Sequence, residues 1–249
     1  MTIRDQIMGQ LKDIEYVSFD IFDTLIFRMT RTPSQIFDKM YKARPEIFPK
    51  HISSCEWRHM RIYAEADARK KRCGEEITLE DIYQHIPAII EDSGAVMELE
   101  IQTEMENTFL NPEMESILYE VKEKYRKKII LTSDMYLSKE SIAGILRNCG
   151  MDMSLLEEIF VSSQCGKKKS NGTLFSYINR RLNCHPEQIL HIGDNWKSDY
   201  LHGKKSGWRV IYYPLISEAE CRYPYLGYER GYYGDIGNET NSWDWDAEK

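Results

Sequence analysis

Residues 14–25 read IEYVSFDIFDTL. Its first half is a run of apolar and β-forming residues that ends in two carboxylates, Asp20 and Asp23. A carboxylate at the end of a buried strand is costly unless a cation or hydrogen bonds hold it. The rest of the chain therefore has to supply partners. Four further β-branched runs follow: KKIILTS (127–133), EEIFVSS (157–163), QILHIGD (188–194) and WRVIYYP (208–214). The first four of the five end in polar clusters, FD, TSD, SSQ and GD.

Helical patterns lie between these runs. EMESILYEVKEKYR (113–126) precedes the second run, and SKESIAGILRNCG (138–150) follows it. In the latter, Ser138 is the expected N-cap and Gly150 the C-terminal stop. TLFSYINRRL (173–182) and KSDYLHGKKSG (197–207) complete the set. Strand–helix alternation of this kind predicts an α/β fold, a doubly wound parallel sheet with helices on its faces. In open sheets of that type, ligands bind beyond the carboxyl ends of the strands. Polar residues at four such ends point to a site there.

Residues 27–112 break the alternation. RTPSQIFDKMYKAR (31–44) places Thr32 as N-cap before Pro33. CEWRHMRIYAEADARKK (55–71) and AVMELEIQTEMENTF (95–109) have helical spacing, and ITLEDIYQHIPAIIED (77–92) starts from Thr78 as N-cap. This predicts an all-helical cap domain over 27–112, inserted in a core domain formed by 1–26 and 113–249. The cap is expected to serve as a lid over the strand ends or as a dimerisation surface. From about residue 214 the core carries an extension ending YPYLGYERGYYGDIGNETNSWDWDAEK (223–249). The expectation is that it packs aromatic residues on the core.

Composition narrows the classes. The chain has 249 residues, 42% of them hydrophobic, and a formal net charge of −7. An overall basic footprint for nucleic acid is absent, and no segment has the roughly 18 apolar residues of a membrane helix. The six cysteines show no C-x-x-C spacing, which reads as free thiols in a reducing compartment. A cytoplasmic protein with no nucleic-acid or membrane partner is expected. The insertion and the tail carry enough apolar and aromatic residues to support a homodimer.

At the strand ends, Asp20 can act as nucleophile or metal ligand and Ser133 can donate a hydroxyl hydrogen bond. Thr132 and Asp134 compete for the role of Ser133. Lys169, in GKKKSNGTLF (166–175), offers a point charge, with Lys168 as rival. Asp194 and Asp199, in GDNWKSD (193–199), offer hard oxygen ligands, and Gly193 permits close backbone approach. Carboxylates at strand ends together with a Lys and a Ser suit Mg²⁺ and a phosphoryl group.

This order of motifs resembles the haloacid dehalogenase superfamily of aspartate-nucleophile hydrolases, over Tyr16 to about Tyr213. Asp20, Thr24 and Leu25 fit its first motif, D-x-D-x-T-[LV]. Ser133 fits the second, K-S-N-G-T-L-F (169–175) resembles the third, and GDNWKSD fits the fourth, G-D-x-x-x-x-D. A helical cap after the first motif is similar to the C1-capped group. The resemblance implies that Asp20 is the nucleophile and that Asp20, the Phe22 carbonyl and Asp194 hold Mg²⁺, with Asp199 supporting it directly or through water. It implies that Ser133 and Lys169 bind the transferring phosphoryl group and that Thr24 steadies the first loop. The implied function is a Mg²⁺-dependent phosphatase acting through an aspartyl-phosphate.

The departure is at position 22. Phosphatases of the family carry a second Asp there as acid–base. This chain has Phe22, with Asp23 one residue later, where Gly is usual. Three readings follow: Asp23 supplies the proton, the leaving group needs little protonation, or the protein is a dehalogenase, since those enzymes place an aromatic residue here. The dehalogenases use no metal and lack the G-D-x-x-x-x-D pair, so Asp194 and Asp199 favour the phosphatase. A branch with the F-D-x-F-D-T-L form is associated with bacterial surface-polysaccharide synthesis, which suggests a sugar or polyol phosphate as substrate. A third alternative is a binding or scaffold protein that kept the fold without turnover.

Three smaller expectations complete the reading. Arg61, Glu65 and Arg69, at i, i+4 and i+8, share one helix face. They are read as a solvated ion-pair ladder, or as the source of an Arg reaching a second anionic group on the substrate. His191 is read as a packed core residue. Trp196 and Tyr200 are read as loop and helix packing.

Overall fold

The structure, a computed structural model, describes residues 2–214. The aromatic tail and Cys221 lie outside the described residues. Among the described residues seven strands form: β1 (Tyr16–Asp20), β2 (Ile26–Arg28), β3 (Thr108–Leu110), β4 (Lys128–Ser133), β5 (Leu156–Val161), β6 (Ile189–Gly193) and β7 (Arg209–Tyr212). Five of them make a parallel sheet in the order β5–β4–β1–β6–β7. All five residues of β1 are buried, as expected for a central strand covered on both faces. The chain runs outward from β1 through β4 and β5, then returns to build β6 and β7 on the other side. The strand order reverses beside β1, which is where an open α/β sheet leaves a crevice. The expected α/β sheet with flanking helices is therefore present.

The helices pack by their apolar stripes. Outside the insertion these are α1 (Ile3–Gln10) and, later in the chain, Pro112–Glu123, Lys139–Asn148, Ser162–Cys165, Thr173–Leu182 and His202–Lys205. Helix Thr173–Leu182 buries Leu174, Phe175 and Ile178 against Tyr16, Ile130, Phe160, Ile189, Trp208 and Val210. Each such side chain taken from water contributes about 1.5–3 kcal/mol. Ser138 caps Lys139–Asn148 by accepting from the Ser141 N–H, and Gly150 follows at φ +87°. Both agree with the sequence reading. Pro112–Glu123 starts from an unforeseen cap, Asn111, whose Oδ1 accepts from the Glu113 N–H.

The insertion contains α2 (Gln35–Ala43), α3 (Ser54–Lys71), α4 (Leu79–Tyr83) and α5 (Ser93–Glu106). It differs from the sequence expectation in four ways. It is not all-helical, because β2 and β3 pair antiparallel at its root, with Phe27 opposite Phe109. Thr32 does not cap α2; its hydroxyl pairs with Ser34, and a tighter turn over Thr32–Ile36 delays the helix to Gln35. Thr78 caps α4 in a reciprocal box with Asp81, yet the helix stops at Tyr83, and Pro87 lacks the N–H that a continuation would need.

The fourth difference is Arg61, which is fully buried rather than solvated. The i, i+4 pairing with Glu65 exists at 3.3 Å, but α5 supplies Glu100, which takes both Arg61 Nε and Nη2 at 2.7 Å. The guanidinium also lies over the rings of Phe37 and Tyr136, 4.8 and 4.9 Å from their centroids. An Arg so committed does not reach for a substrate. No helix among the described residues is long and apolar enough to cross a membrane.

Candidate active site

Parallel register brings the strand ends level. Asp20 closes β1 opposite Thr132 of β4, with Ser133 next to it. On the other side Phe19 pairs with Ile192, so Gly193 and then Asp194 emerge at the same edge. The chain then turns through Trp196–Leu201, where the Tyr200 N–H reaches back five residues to the Asn195 carbonyl. Such π-turns recur at functional sites. This one returns Asp199 beneath the strand ends. A Cβ at Gly193 would stand 2.6 Å from Asp199 Oδ2, so only glycine lets the carboxylate in.

Asp20, Ser133, Lys169 and Asp199 are each at most 6% exposed. Lys169 Nζ donates to Asp20 Oδ1 and, at 2.6 Å, to Asp199 Oδ1. The Asp199 carboxylate also accepts from His191 Nε2 at 2.9 Å and from the Asn195 N–H at 3.0 Å. Lys168 points elsewhere, pairing with Glu76 at 3.3 Å. Asp134 does not enter the cluster. Its two oxygens accept the Lys169 and Ser170 N–H groups at 2.7 and 3.1 Å, which fixes the loop that carries the lysine. Thr24, fully buried, has its hydroxyl 3.5 Å from Asp194 Oδ1. Asn111 donates to the Thr24 carbonyl at 2.8 Å and to Tyr213 Oη at 3.0 Å, tying the first loop to the end of the insertion.

Phe22 and Asp23 occupy the turn after β1. The Asp23 N–H donates to the Ile26 carbonyl at 2.9 Å, and Asp23 has φ +61°. The Phe22 ring lies under the Arg28 guanidinium, 4.3 Å from its centroid, and Arg28 in turn pairs with Glu104 at 3.0 Å.

Charge is unevenly balanced. Burial pushes the Asp20 carboxyl up to about 7 despite the pull of Lys169, and Asp199 adds to the push. Burial also drives Asp194 well above the carboxylate range, helped by Asp20, Asp23 and Asp199. Asp199 moves the other way: Lys169 and His191 outweigh its burial. Asp23 is raised by burial against the pull of Arg28. Burial lowers the Lys169 ammonium, but Asp199, Asp20 and Asp134 hold it above its ordinary value. Asp20, Asp194 and Asp199 each offer a ligand atom, all within 4.8 Å of one another. Three carboxylates thus face one ammonium, and hard oxygens in that arrangement fit a divalent cation such as Mg²⁺.

The structure brings Asp20, Asp194, Asp199 and Lys169 into direct proximity, places Thr24 against Asp194, and sets Ser133 at the neighbouring strand end. Asp23 and Phe22 sit on the adjoining turn. His191, Asn111, Arg28 and Glu104 are contributors that the sequence reading missed or assigned to packing. For His191 a signal was present, since a His two residues before Gly193 on a buried strand needs polar partners.

A family model described as haloacid dehalogenase-like hydrolase matches residues 14–207. Among solved structures, L-2-haloacid dehalogenase from Xanthobacter autotrophicus with chloropropionic acid covalently bound is 14% identical. That match covers 80% of this chain and 77% of the other, with a TM-score of 0.54. A predicted phosphoglycolate phosphatase from Haemophilus somnus 129PT is also 14% identical, covering 82% and 88% at a TM-score of 0.55. The putative hydrolase YfnB from Bacillus subtilis, bound to magnesium, is 13% identical, covering 85% and 90% at a TM-score of 0.55. At these identities the likeness concerns the fold alone. No curated protein matches.

Proposed function

The chain belongs to the haloacid dehalogenase-like hydrolases, and from that premise we propose that it is a Mg²⁺-dependent phosphatase acting on a small phosphorylated metabolite, a sugar or polyol phosphate. The observation that carries this reading is the convergence of Asp194 and Asp199 on Asp20. Three converging carboxylates, Asp20 and Asp199 buried and Asp194 half-buried, repel one another against one ammonium unless a cation joins them.

Asp20, Asp194 and the Phe22 carbonyl would hold the ion, with Asp199 supporting it directly or through water. When bound, Mg²⁺ supplies charge neutralisation for a phosphoryl group beside Asp20. Lys169 and Ser133 bind the phosphoryl oxygens, one as a point charge and the other as a hydroxyl donor. The Asp20 carboxylate attacks phosphorus in line, the ester P–O bond breaks, and Asp23 gives its proton to the departing oxygen. Asp23 then takes a proton from water, the water oxygen attacks phosphorus, and inorganic phosphate leaves with Asp20 restored. Burial that raises Asp23 suits the first of these roles, since it favours the protonated carboxyl.

A second reading, metal-free dehalogenation, is favoured by one observation: an aromatic ring, Phe22, stands where the acid–base would be, clamped by Arg28. The test is phosphate release from a panel of sugar, polyol and aryl phosphates, with Mg²⁺ and with chelator, for the parent protein and Asp20→Asn. Mg²⁺-dependent release lost in Asp20→Asn is the expected result. Halide release from 2-haloacids in chelator would replace the phosphatase by the dehalogenase. Silence in both assays would favour a binding protein on this fold.

A further inference from the structure

We propose that His191 is a positioning residue that fixes the Asp199 carboxylate at the cation site, as the inner end of a hydrogen-bond chain crossing three strands. The inference deepens the reading above and rests on its divalent cation. Thr132 Oγ1 on β4 lies 3.2 Å from Ser18 Oγ on β1. Ser18 Oγ lies 2.9 Å from His191 Nδ1 on β6, and His191 Nε2 lies 2.9 Å from Asp199 Oδ1. Ser18 and His191 are register partners on adjacent strands, which is why their side chains meet. All four residues are fully buried.

The chain has one self-consistent direction. An ionised Asp199 only accepts, so Nε2 carries the proton that it receives. In a neutral ring Nδ1 then accepts, and the Ser18 hydroxyl donates to it. The Ser18 oxygen is left to accept from Thr132. Ring packing holds the same pose: the His191 ring meets Phe175 and Trp208 edge-on, with centroids 5.6 and 5.9 Å away.

Asp199 is therefore gripped from three sides. Lys169 and His191 share Oδ1, and the Asn195 N–H takes Oδ2. Gly193 leaves no room behind it. A histidine needed only for packing would have no reason to aim a donor at a site carboxylate. An apolar ring would fill that space without three buried polar side chains to satisfy. Partners behind a ligand that orient it in this way set metal affinity, and their loss typically weakens binding about 10–100-fold.

The experiment is calorimetric titration of Mg²⁺ into the full chain, for the parent protein, His191→Phe, His191→Gln, Ser18→Ala and the Ser18→Ala/His191→Phe double variant, with circular dichroism as a fold check. Phe keeps the ring packing and removes the donor. His191→Phe should weaken Mg²⁺ about 10–100-fold, and His191→Gln, whose amide can donate, should recover part of that loss. Ser18→Ala should weaken binding less, and should add nothing once His191 is gone. A parent-like affinity in His191→Phe, with only the melting temperature lowered, overturns the inference and leaves the cation reading standing. Additive losses in the double variant overturn it too. A parent protein that binds no Mg²⁺ removes the cation reading and this inference with it. Should His191→Phe fail to fold, a Ser18→Ala affinity equal to the parent's is the overturning result.

Discussion

Asp23 has two separable reasons to be an aspartate. Its φ of +61° is left-handed, a conformation that costs most L-residues about 1–2 kcal/mol and that Gly, Asn and Asp adopt most readily. In the proposed function its carboxyl also stands in for the acid–base displaced by Phe22. Two substitutions divide the reasons. Asp23→Gly should keep stability within about 1 kcal/mol, whereas Asp23→Ala should lose about 1–2 kcal/mol in urea unfolding. Both should lower phosphate release from poor leaving groups by about 10²–10⁴-fold and leave a good aryl leaving group nearly untouched. Full sugar-phosphate turnover by Asp23→Gly would reduce Asp23 to a backbone device. Asp20 and Asp194 were legible as candidates because a carboxylate at the end of an apolar run is conspicuous in a one-dimensional pattern, and Asp199 was legible only through its spacing from Asp194 in GDNWKSD. The left-handed turn was not, because φ is imposed by the Ile26 carbonyl and the strand that follows, not by Asp23 alone.

The contrast is sharper at the scale of the element. The i, i+4 spacing of Arg61, Glu65 and Arg69 correctly implied that they share a face of α3, and the Glu65 contacts to both arginines exist. What the spacing could not say is which face. Glu100 of α5, 39 residues away, turns that face inward. Amphipathic reasoning fails where a buried face is itself charged, because the pattern then resembles a solvated one. The energetics of a buried pair follow. Arg61→Met leaves Glu100 uncompensated and should cost about 3–5 kcal/mol, whereas Arg61→Met/Glu100→Leu should recover much of that loss, since replacing both partners removes the stranded charge. Equilibrium unfolding of the three proteins checks this; a loss below about 1 kcal/mol for Arg61→Met would mean the pair behaves as if solvated. The same limit explains the last segment of the core. KSDYLHGKKSG was read as helix, but its first turn widens to bring Asp199 under Gly193, a demand set by the site and invisible to propensity.

For the whole molecule, the sheet was legible and its closure was not. Strand runs alternating with helices dictate a parallel sheet almost unaided, and the reversal beside β1 then places the crevice. The insertion meets the core through particular pairs, such as Glu76 with Lys168 and the Leu79 N–H with the Tyr136 carbonyl. Such pairs join segments far apart in sequence and leave no periodic trace. The crevice concentrates negative charge in a chain whose formal net charge is already −7, so the folded state of the proposed phosphatase should be linked to its cation. A ligand that binds only the folded form stabilises it by about 2.7 kcal/mol at a hundred times its Kd. For a chain of this size that corresponds to a rise of roughly 5–10 °C in melting temperature. Mg²⁺ should produce that rise and chelator should reverse it. Asp194→Asn separates the cation from general salt effects, because the two consequences of losing that carboxylate have opposite signs. Without Mg²⁺ the variant should melt above the parent, since a carboxyl whose ionisation is opposed by burial and by Asp20, Asp23 and Asp199 is gone. With Mg²⁺ it should melt below the parent, since a ligand is gone too. A variant whose melting curve shifts by the same amount in both conditions would show that Asp194 carries strain but no ion.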